Sequence, residues 1–387
     1  MNDRPVLGRP TWHGIVYGTP RRLRPHSSLL IVGPTQAGKT SSLVVPTLLS
    51  WTDAMVVTSV KRDVVSTTRA WRATLGEVQV LEPGLDDGLT WNPLEGVVTL
   101  RHAIRVARDL TVRSSHGDAE FWNTLATKLV AALLMGAVER SRTIFDVASV
   151  VERRDFHSWL GASRGSDADA LLRDFLEHEP KTLDGVLTTA ETMLLAWRFA
   201  QPLARVRTVV HAANTLYLCS PRGEQRHYES LFRGAVRMVL EEQQHLVEEG
   251  RHRRLLLMLD EAASVAPLDE LDELAATVSG LGVTLVSVFQ DFAQMSARWG
   301  PRAATIVNNH TTRLVLGGLA DPSAVTFLPE LTEGATAAGS VPLRQMRAGT
   351  ALVVAGREPV RVTRVRPWWR DRRVRRRGEH SLGTMHR

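Results

Sequence analysis

Residues 33–40 read GPTQAGKT and match the pattern GxxxxGK[ST] at every fixed position. An apolar run, SLLIV at 28–32, comes directly before them, and residues 41–51 after them have a helical pattern. A strand, a glycine-rich turn and a helix in this order form a loop whose backbone N–H groups surround phosphate oxygens. The stretch therefore predicts a nucleotide-binding loop. The alternative is an ordinary glycine turn between a strand and a helix.

The chemistry of such a loop assigns a role to several of its residues. Gly33 and Gly38 let the backbone turn inward, and Lys39 reaches the β- and γ-phosphate oxygens as a catalytic residue. Thr40 offers its hydroxyl to Mg²⁺. ATP and Mg²⁺ are the expected cofactors, and the expected ATP-binding residues are Gly33, Pro34, Thr35, Gln36, Ala37, Gly38, Lys39, Thr40 and Ser41.

Two further predicted strands end in polar side chains. Residues 255–261 read LLLMLDE, which predicts Asp260 as a magnesium ligand and Glu261 as the catalytic base that polarises the attacking water. Acids also commonly cap the exit of a strand, which is the alternative here. Gln290 follows VTLVSVF at 283–289, where ligands of parallel sheets bind, so we predict that it senses the γ-phosphate or orients the water. The alternative is that Gln290 caps the next helix.

Apolar runs of strand length alternate with helical patterns through most of the chain. Helices are predicted at 61–75, 225–248 and 268–279. This alternation predicts an α/β fold with a mostly parallel sheet covered by helices on both faces. The strands are predicted at 28–32, 54–58, 78–81, 215–219, 255–259, 283–289, 314–316 and 351–354.

The pattern changes between residues 100 and 204, where apolar residues recur at helical spacing without a convincing strand. We therefore predict an all-α domain inserted into the nucleotide-binding domain. The predicted domains are 1–99 and 205–365 for the two parts of the nucleotide-binding domain, 100–204 for the inserted domain, and 366–387 for a basic, disordered tail.

Composition excludes several classes of protein. Cys219 is the only cysteine, which excludes a disulfide framework and a cysteine-based zinc site. Residues 1–24 lack the apolar core of a signal peptide, and the most apolar stretch, 121–138, contains Lys128. We therefore expect a cytoplasmic chain without a transmembrane segment, attached to the cell membrane peripherally or through a partner.

The net charge of +7 is concentrated near the end of the chain. Residues 361–377 contain nine arginines, one aspartate and the pair Trp368 and Trp369, whereas the rest of the chain is close to neutral. Arginines beside tryptophans can neutralise phosphates and stack on bases, which predicts contact with nucleic acid. Attraction to anionic lipid and a simple solvated extension are the alternatives.

Taken together, these residues resemble the ATPase coupling proteins of type IV secretion and conjugation, in the FtsK/HerA branch of RecA-like motors. The resemblance covers roughly residues 25–365, is most specific from 257 to 322, and is strongest to actinobacterial members. The motifs that carry it are GPTQAGKT with PTLL at 46–49, WNPL at 91–94, FW at 121–122, LMLDEAASVAPLDEL at 257–271, LVSVFQDFAQMSARWG at 285–300, IVNNHTTRLVLGGLADP at 306–322 and RPWWRD at 366–371.

The resemblance implies a RecA-like P-loop NTPase with an inserted all-α domain. It implies a homo-hexameric ATPase that recruits DNA with an attached relaxase and drives it toward a type IV secretion channel. The implied partners are DNA, relaxase and relaxosome proteins, secretion-channel proteins and a membrane-anchoring partner. Two alternatives stay open: an ATP-dependent substrate-docking module with little hydrolysis, and a double-stranded DNA translocase outside conjugation.

Two departures from the family pattern bear on these expectations. Members of the family usually carry transmembrane helices before the motor, and here the nucleotide loop already begins at Gly33. Many members also have an arginine that reaches the neighbouring subunit's ATP, at a position where this chain has Ser279. Arg298, Arg302 and Arg313 are the candidate substitutes for this arginine.

Overall fold

The computed structural model describes residues 6–10, 21–22, 27–60, 62–83, 88–111, 119–160, 166–198, 201–220, 223–327, 343–356 and 360–385. Lys61 and most of residues 1–24, on which predictions were made above, lie outside the described residues. The strands are β1 (Val6–Pro10), β2 (Arg21–Arg22), β3 (Ser28–Val32), β4 (Ala54–Ser59), β5 (Val78–Leu81), β6 (Thr90–Trp91), β7 (Leu203–Ala204), β8 (Thr215–Cys219), β9 (Leu255–Leu259), β10 (Val283–Phe289), β11 (Thr312–Leu316), β12 (Thr350–Ala355) and β13 (Arg361–Arg364).

A π-helical turn, Thr40–Val44, follows the nucleotide loop and continues into the first α-helix. The α-helices are α1 (Val45–Ser50), α2 (Arg62–Ala73), α3 (Leu100–Asp109), α4 (Ala119–Glu139), α5 (Ile144–Arg153), α6 (Asp167–Leu176), α7 (Pro180–Leu194), α8 (Gln225–Glu248), α9 (Leu271–Thr277), α10 (Phe292–Trp299), α11 (Arg302–Asn309), α12 (Ala324–Phe327) and α13 (Arg372–Met385).

Within the described ranges, eleven strands form one sheet in the order β2-β1-β13-β12-β11-β3-β10-β9-β4-β8-β5. The six strands from β11 to β8 run parallel to one another. On the other side of β11, the strands β12, β13, β1 and β2 pair antiparallel. The predicted α/β fold with a mostly parallel sheet is confirmed, and the antiparallel edge adds β1, β2 and β13, which the sequence analysis did not predict.

Both faces of the central strands are buried, as expected for a parallel sheet. Leu29 and Ile31 of β3 belong to a core cluster that also contains Leu43 and Leu48 after the nucleotide loop. The alternate residues Leu30 and Val32 are also buried, and they point to the opposite face because side chains alternate along a strand. The uninterrupted apolar runs of these strands follow from this double burial.

Helices α10 and α11 cover the second face beside β10. The ring of Phe289 makes an edge-to-face contact with Trp299 of α10, with 5.8 Å between centroids. The hydroxyl of Ser287 donates to Nε2 of His310, whose Nδ1 donates to the carbonyl oxygen of Ile306 (3.1 and 2.7 Å). Burial, with a smaller contribution from Arg313, lowers the pKa of His310 to about 4. His310 is therefore a neutral group of the core.

The chain divides into two compact units. One unit contains Met1–Val80, Arg207–Gln225 and Val239–Arg387, which includes the large sheet, and the other contains Leu81–Val206 and Arg226–Met238. In the second unit α4 packs against α3, α5, α6 and α7. The unit thus begins before the predicted boundary at residue 100 and includes part of α8.

Trp91 explains why the helical unit begins before residue 100. Its Nε1 donates to the carbonyl oxygen of Leu231 in α8 (2.9 Å), and its ring stands edge-on to Trp197. A Cβ atom on Gly234 would lie 2.7 Å from the Trp91 ring, so only glycine allows this approach. Trp91 is therefore part of the core of the helical unit.

Helix α4 is long and apolar enough, by length and composition, to cross a membrane over residues 120–139. Half of the apolar window is buried inside the protein, where α4 packs against its neighbouring helices. A buried core helix of a globular unit has the same composition, so this feature is weak support for a membrane span.

The prediction of a disordered tail over 366–387 is wrong for residues 366–385. A 3₁₀ turn, Trp368–Arg370, leads into α13, which packs against α2 and α1. Val374 and Ser381 of α13 are buried. The abundance of arginine concealed this buried stripe, because most of the arginines lie on the remaining faces of the helix and the buried Arg377 looks like them in sequence.

The buried neutral state of His310 predicts a pH-dependent stability. Its pKa is lower in the folded than in the unfolded state, so its contribution is complete above about pH 6.5 and is lost as the pH falls toward about 4. Between pH 7 and pH 5 this loss is about 2 kcal/mol of unfolding free energy.

Urea unfolding of the wild type and of His310→Gln over this pH range measures the loss. The variant should be less stable at pH 7 but lose less stability on acidification. His380→Gln, at an exposed position of α13, is the matched control. If the unfolding free energies of the wild type and His310→Gln change equally with pH, His310 is not buried in its neutral form.

Candidate functional site

The predicted site residues follow three neighbouring parallel strands. The nucleotide loop follows β3, Gln290 follows β10, and Asp260 with Glu261 follows β9, and β10 lies between the other two. Phe289 pairs with Val32 of β3, and Ser287 pairs with Leu259 of β9. The carboxyl ends of these strands therefore bring the three predicted segments to one edge of the sheet.

The nucleotide loop is fixed to this edge at its first residue. The backbone N–H of Gly33 donates to the carbonyl oxygen of Phe289 (3.2 Å), and that of Ala37 donates to Pro34 (3.2 Å). A Cβ atom on Gly33 would lie 2.8 Å from Cβ of Leu316 in β11, which excludes any larger residue without movement of the strand. Position 33 therefore requires glycine for its packing against β11 as well as for the turn of the loop.

The middle of the loop has the conformation of an anion-binding concavity. Gln36 and Gly38 both have a positive φ, 65° and 87°. Backbone of this kind, alternating with right-handed residues, turns successive N–H groups toward one side. Gly38 takes this conformation at little cost, whereas Gln36 is one of the few non-glycine residues that do so in the described ranges.

Lys39 lies across the loop, because its ammonium group donates to the carbonyl oxygens of Gly33 and Pro34. Thr40 and Ser41, both half-buried, begin the π-helical turn that leads into α1. The backbone N–H of Ser42 donates to Gly38 (2.9 Å). Single π-helical turns occur often at functional sites, where they shift side chains relative to a regular helix.

The acid pair is held by the strands on either side of β9. The hydroxyl of Thr58 in β4 donates to the carbonyl oxygen of Asp260 (2.9 Å), whose side chain is buried. The backbone N–H of Ala262 donates to Val288 of β10 (3.0 Å). Between these anchors Glu261 has a left-handed φ of 54°, a conformation that strains a residue with a side chain. Such strain is concentrated at functional sites.

Gln290 is half-buried and does not cap the helix after it. Asp291 does so, since its carboxylate accepts from the backbone N–H of Gln294 (2.7 Å). Asp321 accepts from the backbone N–H of Phe292 (2.7 Å) and so holds the same helix end. The capping alternative for Gln290 is therefore wrong, and its role toward a phosphate stays a prediction. Sequence reasoning missed both aspartates, although an aspartate before a helix is a capping signal.

Arg302, one of the three candidate substitutes for the missing arginine, is paired within its own chain. Arg302 makes a two-pronged hydrogen-bonded pair with Asp272, in which Nε lies 3.0 Å from Oδ2. Burial raises the pKa of Asp272, but the hydrogen bonds from Arg302 and from the Glu273 backbone hold it below its ordinary value. Ser279, at the expected arginine position, is exposed.

Thr40 and Asp260 offer oxygen ligands for Mg²⁺, but the described residues contain no metal centre made of protein side chains alone. In the described part of the chain, no group of three or more His, Cys, Asp or Glu side chains could hold a metal ion. Mg²⁺ at nucleotide sites keeps several waters and takes only one or two protein ligands beside the phosphates. The hydroxyl of Thr40 and the carboxylate of Asp260 are suited to such a site.

The family model described as type IV secretory system conjugative DNA transfer matches residues 10–339. The conjugal transfer protein TraG of Escherichia coli is 26% identical over 312 residues, which cover 70% of this chain and 49% of TraG. Protein VirD4 of Rhizobium rhizogenes is 22% identical over 353 residues, 84% of this chain and 52% of VirD4. The chain thus spans about half the length of these curated relatives. Neither organism is an actinobacterium, so the actinobacterial character stays a prediction.

Solved structures with the same fold are also found. An unbound form of the bacterial conjugative coupling protein TrwBdeltaN70 has a TM-score of 0.69 and 18% identity, over 93% of this chain and 88% of that one. The plasmid coupling protein TrwB in complex with ADP and Mg²⁺ has a TM-score of 0.67 and 17% identity, over 89% and 85% of the two chains. At this identity the likeness establishes the fold.

The left-handed conformation at position 261 predicts that glycine there gives a more stable protein than alanine, the reverse of the usual order. Glu261→Gly should be more stable than Glu261→Ala by about 1 kcal/mol, because glycine removes the strain that any Cβ atom meets there. At neighbouring Ala262, which has no such conformation, Ala262→Gly should instead be less stable than the wild type. Thermal unfolding measures both differences. Equal stability of Glu261→Gly and Glu261→Ala would show that position 261 is unstrained.

Proposed function

The chain belongs to the family of type IV secretory system proteins for conjugative DNA transfer, and from this premise we propose that it is an ATP-hydrolysing coupling protein. In this role it recruits DNA, with an attached relaxase, and drives it toward a type IV secretion channel. The single observation that supports hydrolysis best is the convergence of the nucleotide loop, the acid pair and Gln290 on neighbouring strand ends.

ATP is the proposed ligand of the loop from Gly33 to Ser41. The positive φ of Gln36 and Gly38 turns backbone N–H groups of the loop toward one side, which suits the phosphates of a nucleotide. Lys39 would exchange its hydrogen bonds to Gly33 and Pro34 for β- and γ-phosphate oxygens. The fold likeness to TrwB, which is described with ADP and Mg²⁺, supports this assignment.

Thr40 and Asp260 are the proposed magnesium ligands, the latter directly or through water. Bound there, Mg²⁺ would neutralise charge that develops on the phosphate oxygens during transfer. Glu261 would accept a hydrogen bond from the attacking water and orient it. Its backbone is fixed to β10 through Ala262, so its side chain starts at the edge of the sheet where the loop lies. Gln290, released from capping by Asp291, would contact the γ-phosphate.

The proposed partners are DNA, relaxase and relaxosome proteins, the secretion channel and a membrane-anchoring protein, and the proposed assembly is a homo-hexamer. The place of action is the cytoplasmic face of the cell membrane. These assignments are supported by family membership and by the likeness to TraG and VirD4.

One observation favours a second candidate, a docking module that binds ATP and a transfer substrate but hydrolyses little. Ser279 stands where relatives have the arginine that acts on a neighbouring subunit, and Arg302 is engaged with Asp272 in its own chain. ATP turnover by the purified chain, with and without DNA, separates the two candidates. Turnover stimulated by DNA supports the motor, and stoichiometric binding without turnover supports the docking module.

Lys39→Ala should weaken nucleotide binding at least about tenfold, because a charge-assisted hydrogen bond to phosphate is lost. Fluorescence titration with a labelled ATP analogue measures the affinity. Lys181→Ala removes an equally charged but exposed side chain of α7 and is the matched control. Unchanged affinity of Lys39→Ala would remove the loop from the proposed site.

Glu261→Gln should keep ATP affinity but reduce turnover about 100-fold or more, because the amide cannot accept the proton of the attacking water. Steady-state phosphate release and the binding titration are measured together. Glu273→Gln, at an exposed acid of α9, is the control and should turn over like the wild type. Full activity of Glu261→Gln would assign the catalytic base elsewhere.

A further inference from the structure

One face of α13, with Val374, Arg377 and Ser381, packs against α1, which follows the nucleotide loop, and α2, which follows β4. We call this face the inner stripe. Val374 packs with Val45 and Leu49, and partly buried Trp368 joins the same cluster. Ser381 is buried, and its hydroxyl oxygen accepts from the backbone N–H of Trp71 (3.0 Å). These contacts recur at the spacing of one helix face, so α13 has a single fixed orientation on α1 and α2.

Arg377 belongs to the inner stripe although it is charged. Its Nη1 donates to the carbonyl oxygen of Leu49 near the end of α1, and its guanidinium lies 4.4 Å from the ring centroid of Trp71. One residue further on, a Cβ atom on Gly378 would lie 2.4 Å from the ring of Trp368. The buried guanidinium and the close glycine contact restrict rotation and sliding of the helix.

The outer side of the same segment is covered with arginines. Of the arginines from β13 to α13 whose side chains the structure describes, seven are exposed: Arg364, Arg366, Arg370, Arg372, Arg373, Arg375 and Arg376. Arg375 makes an ion pair with Glu379 (3.5 Å) in which both side chains are about half exposed, so the pair is weak. Only two acids, Asp371 and Glu379, lie between residues 360 and 385, so the surface is strongly positive.

The outer arginines are close together and have an aromatic neighbour. Arg372 to Arg376 span about 6 Å along the helix axis, at about 1.5 Å per residue. Trp369 is 46% exposed and leans edge-on against Trp368, with 5.7 Å between ring centroids. Rigid helix packing thus presents several guanidinium groups and one indole ring to solvent on a single element.

We propose that this outer surface, formed by Arg372, Arg373, Arg376 and Trp369, is a binding surface for the phosphate backbone of DNA. Guanidinium groups match phosphate oxygens in two-pronged hydrogen bonds, and an indole ring can stack on an unpaired base. The identification of DNA among polyanions rests on the proposed function. The surface is separate from the nucleotide loop, and no residue of it belongs to the ATP site.

Charge complementarity alone would also suit an anionic membrane, but the packing of α13 argues against it. A helix that lies on a bilayer inserts its apolar face between the lipid headgroups. Here that face, with Val374 and Ser381, is buried against α1 and α2. Among the side chains of α13 and the preceding turn that the structure describes, Trp369 is the one large apolar group that is exposed.

The test removes three exposed charges from α13 and three from another helix of the full-length chain. The test variant is Arg372→Gln/Arg373→Gln/Arg376→Gln, which leaves the Arg375–Glu379 pair and the buried Arg377 in place. The control is Arg101→Gln/Arg105→Gln/Arg108→Gln on the exposed side of α3. Both variants change the net charge equally, so a general charge effect is the same in each.

Binding of a labelled duplex is measured by fluorescence anisotropy between about 50 and 300 mM salt. The test variant should lose about tenfold or more in affinity at low salt, and its slope of log affinity against log salt should be shallower by about 2 to 3. Trp369→Ala should reduce the affinity for single-stranded DNA about tenfold and the affinity for duplex DNA by less. An unchanged slope, or equal losses in test and control variants, would overturn the proposal.

Two further measurements separate this surface from the other assignments. Binding of the labelled ATP analogue should be the same in the test variant and the wild type, because α13's outer face is not part of the nucleotide loop. If the wild type binds no ATP, but the test variant still loses DNA affinity relative to the wild type, the proposed function fails and the DNA-binding surface stands. If the test variant loses binding to phosphatidylglycerol vesicles and keeps its DNA affinity, the surface is a lipid contact and the proposal is overturned.

Discussion

The pairing of β3 with β10 is the constraint on which the site depends. Their register ends with Phe289 opposite Val32, and the next backbone N–H, that of Gly33, donates to Phe289. The nucleotide loop therefore starts where the β3–β10 ladder ends. Because β10 also pairs with β9 and holds Ala262 beside Glu261, one strand sets the position of the loop, the acid pair and Gln290 together.

Much of this arrangement could be predicted from the sequence, for a physical reason. The strands at 28–32, 215–219, 255–259 and 283–289 have the predicted bounds, because strands buried on both faces are uninterrupted apolar runs. Helix α8 also begins and ends as predicted. The position of Lys39 in the loop after β3, and those of Asp260 and Glu261 directly after β9, follow from the motifs themselves.

The features that the sequence did not reveal depend on contacts between distant segments. The strained φ of Glu261 comes from anchoring to β10, and the cap of α10 comes in part from Asp321. Strand β13, with the sequence RVTR, has no apolar run because it lies near the edge of the sheet. Helix α13 was concealed by its charges, since a buried arginine such as Arg377 looks in sequence like an exposed one.

Arginine therefore has two uses in this chain. Some arginines cross-link buried backbone, as Arg72 does when its guanidinium donates to the carbonyl oxygens of Trp51, Asp53 and Ala213. A planar group with five donors in a fixed geometry can satisfy more carbonyl oxygens at once than the three donors of a lysine. Others stay on the surface, as on the outer side of α13. A count of charges cannot separate these two uses, whereas the contacts that each guanidinium makes in the folded chain can.

The position of β3 in the sheet also determines when the domain can form during protein synthesis. β3 lies between β10 and β11, and both are encoded in the last third of the chain. At ordinary translation rates, the apolar residues of β3 leave the ribosome on the order of tens of seconds before either partner strand exists. The nucleotide loop therefore acquires its shape only after β10 and β11 have been made, and α13, which follows them in the sequence, closes over α1 later still. Until then the growing chain exposes a strand that other chains could pair with, so chaperone protection matters most for this early segment.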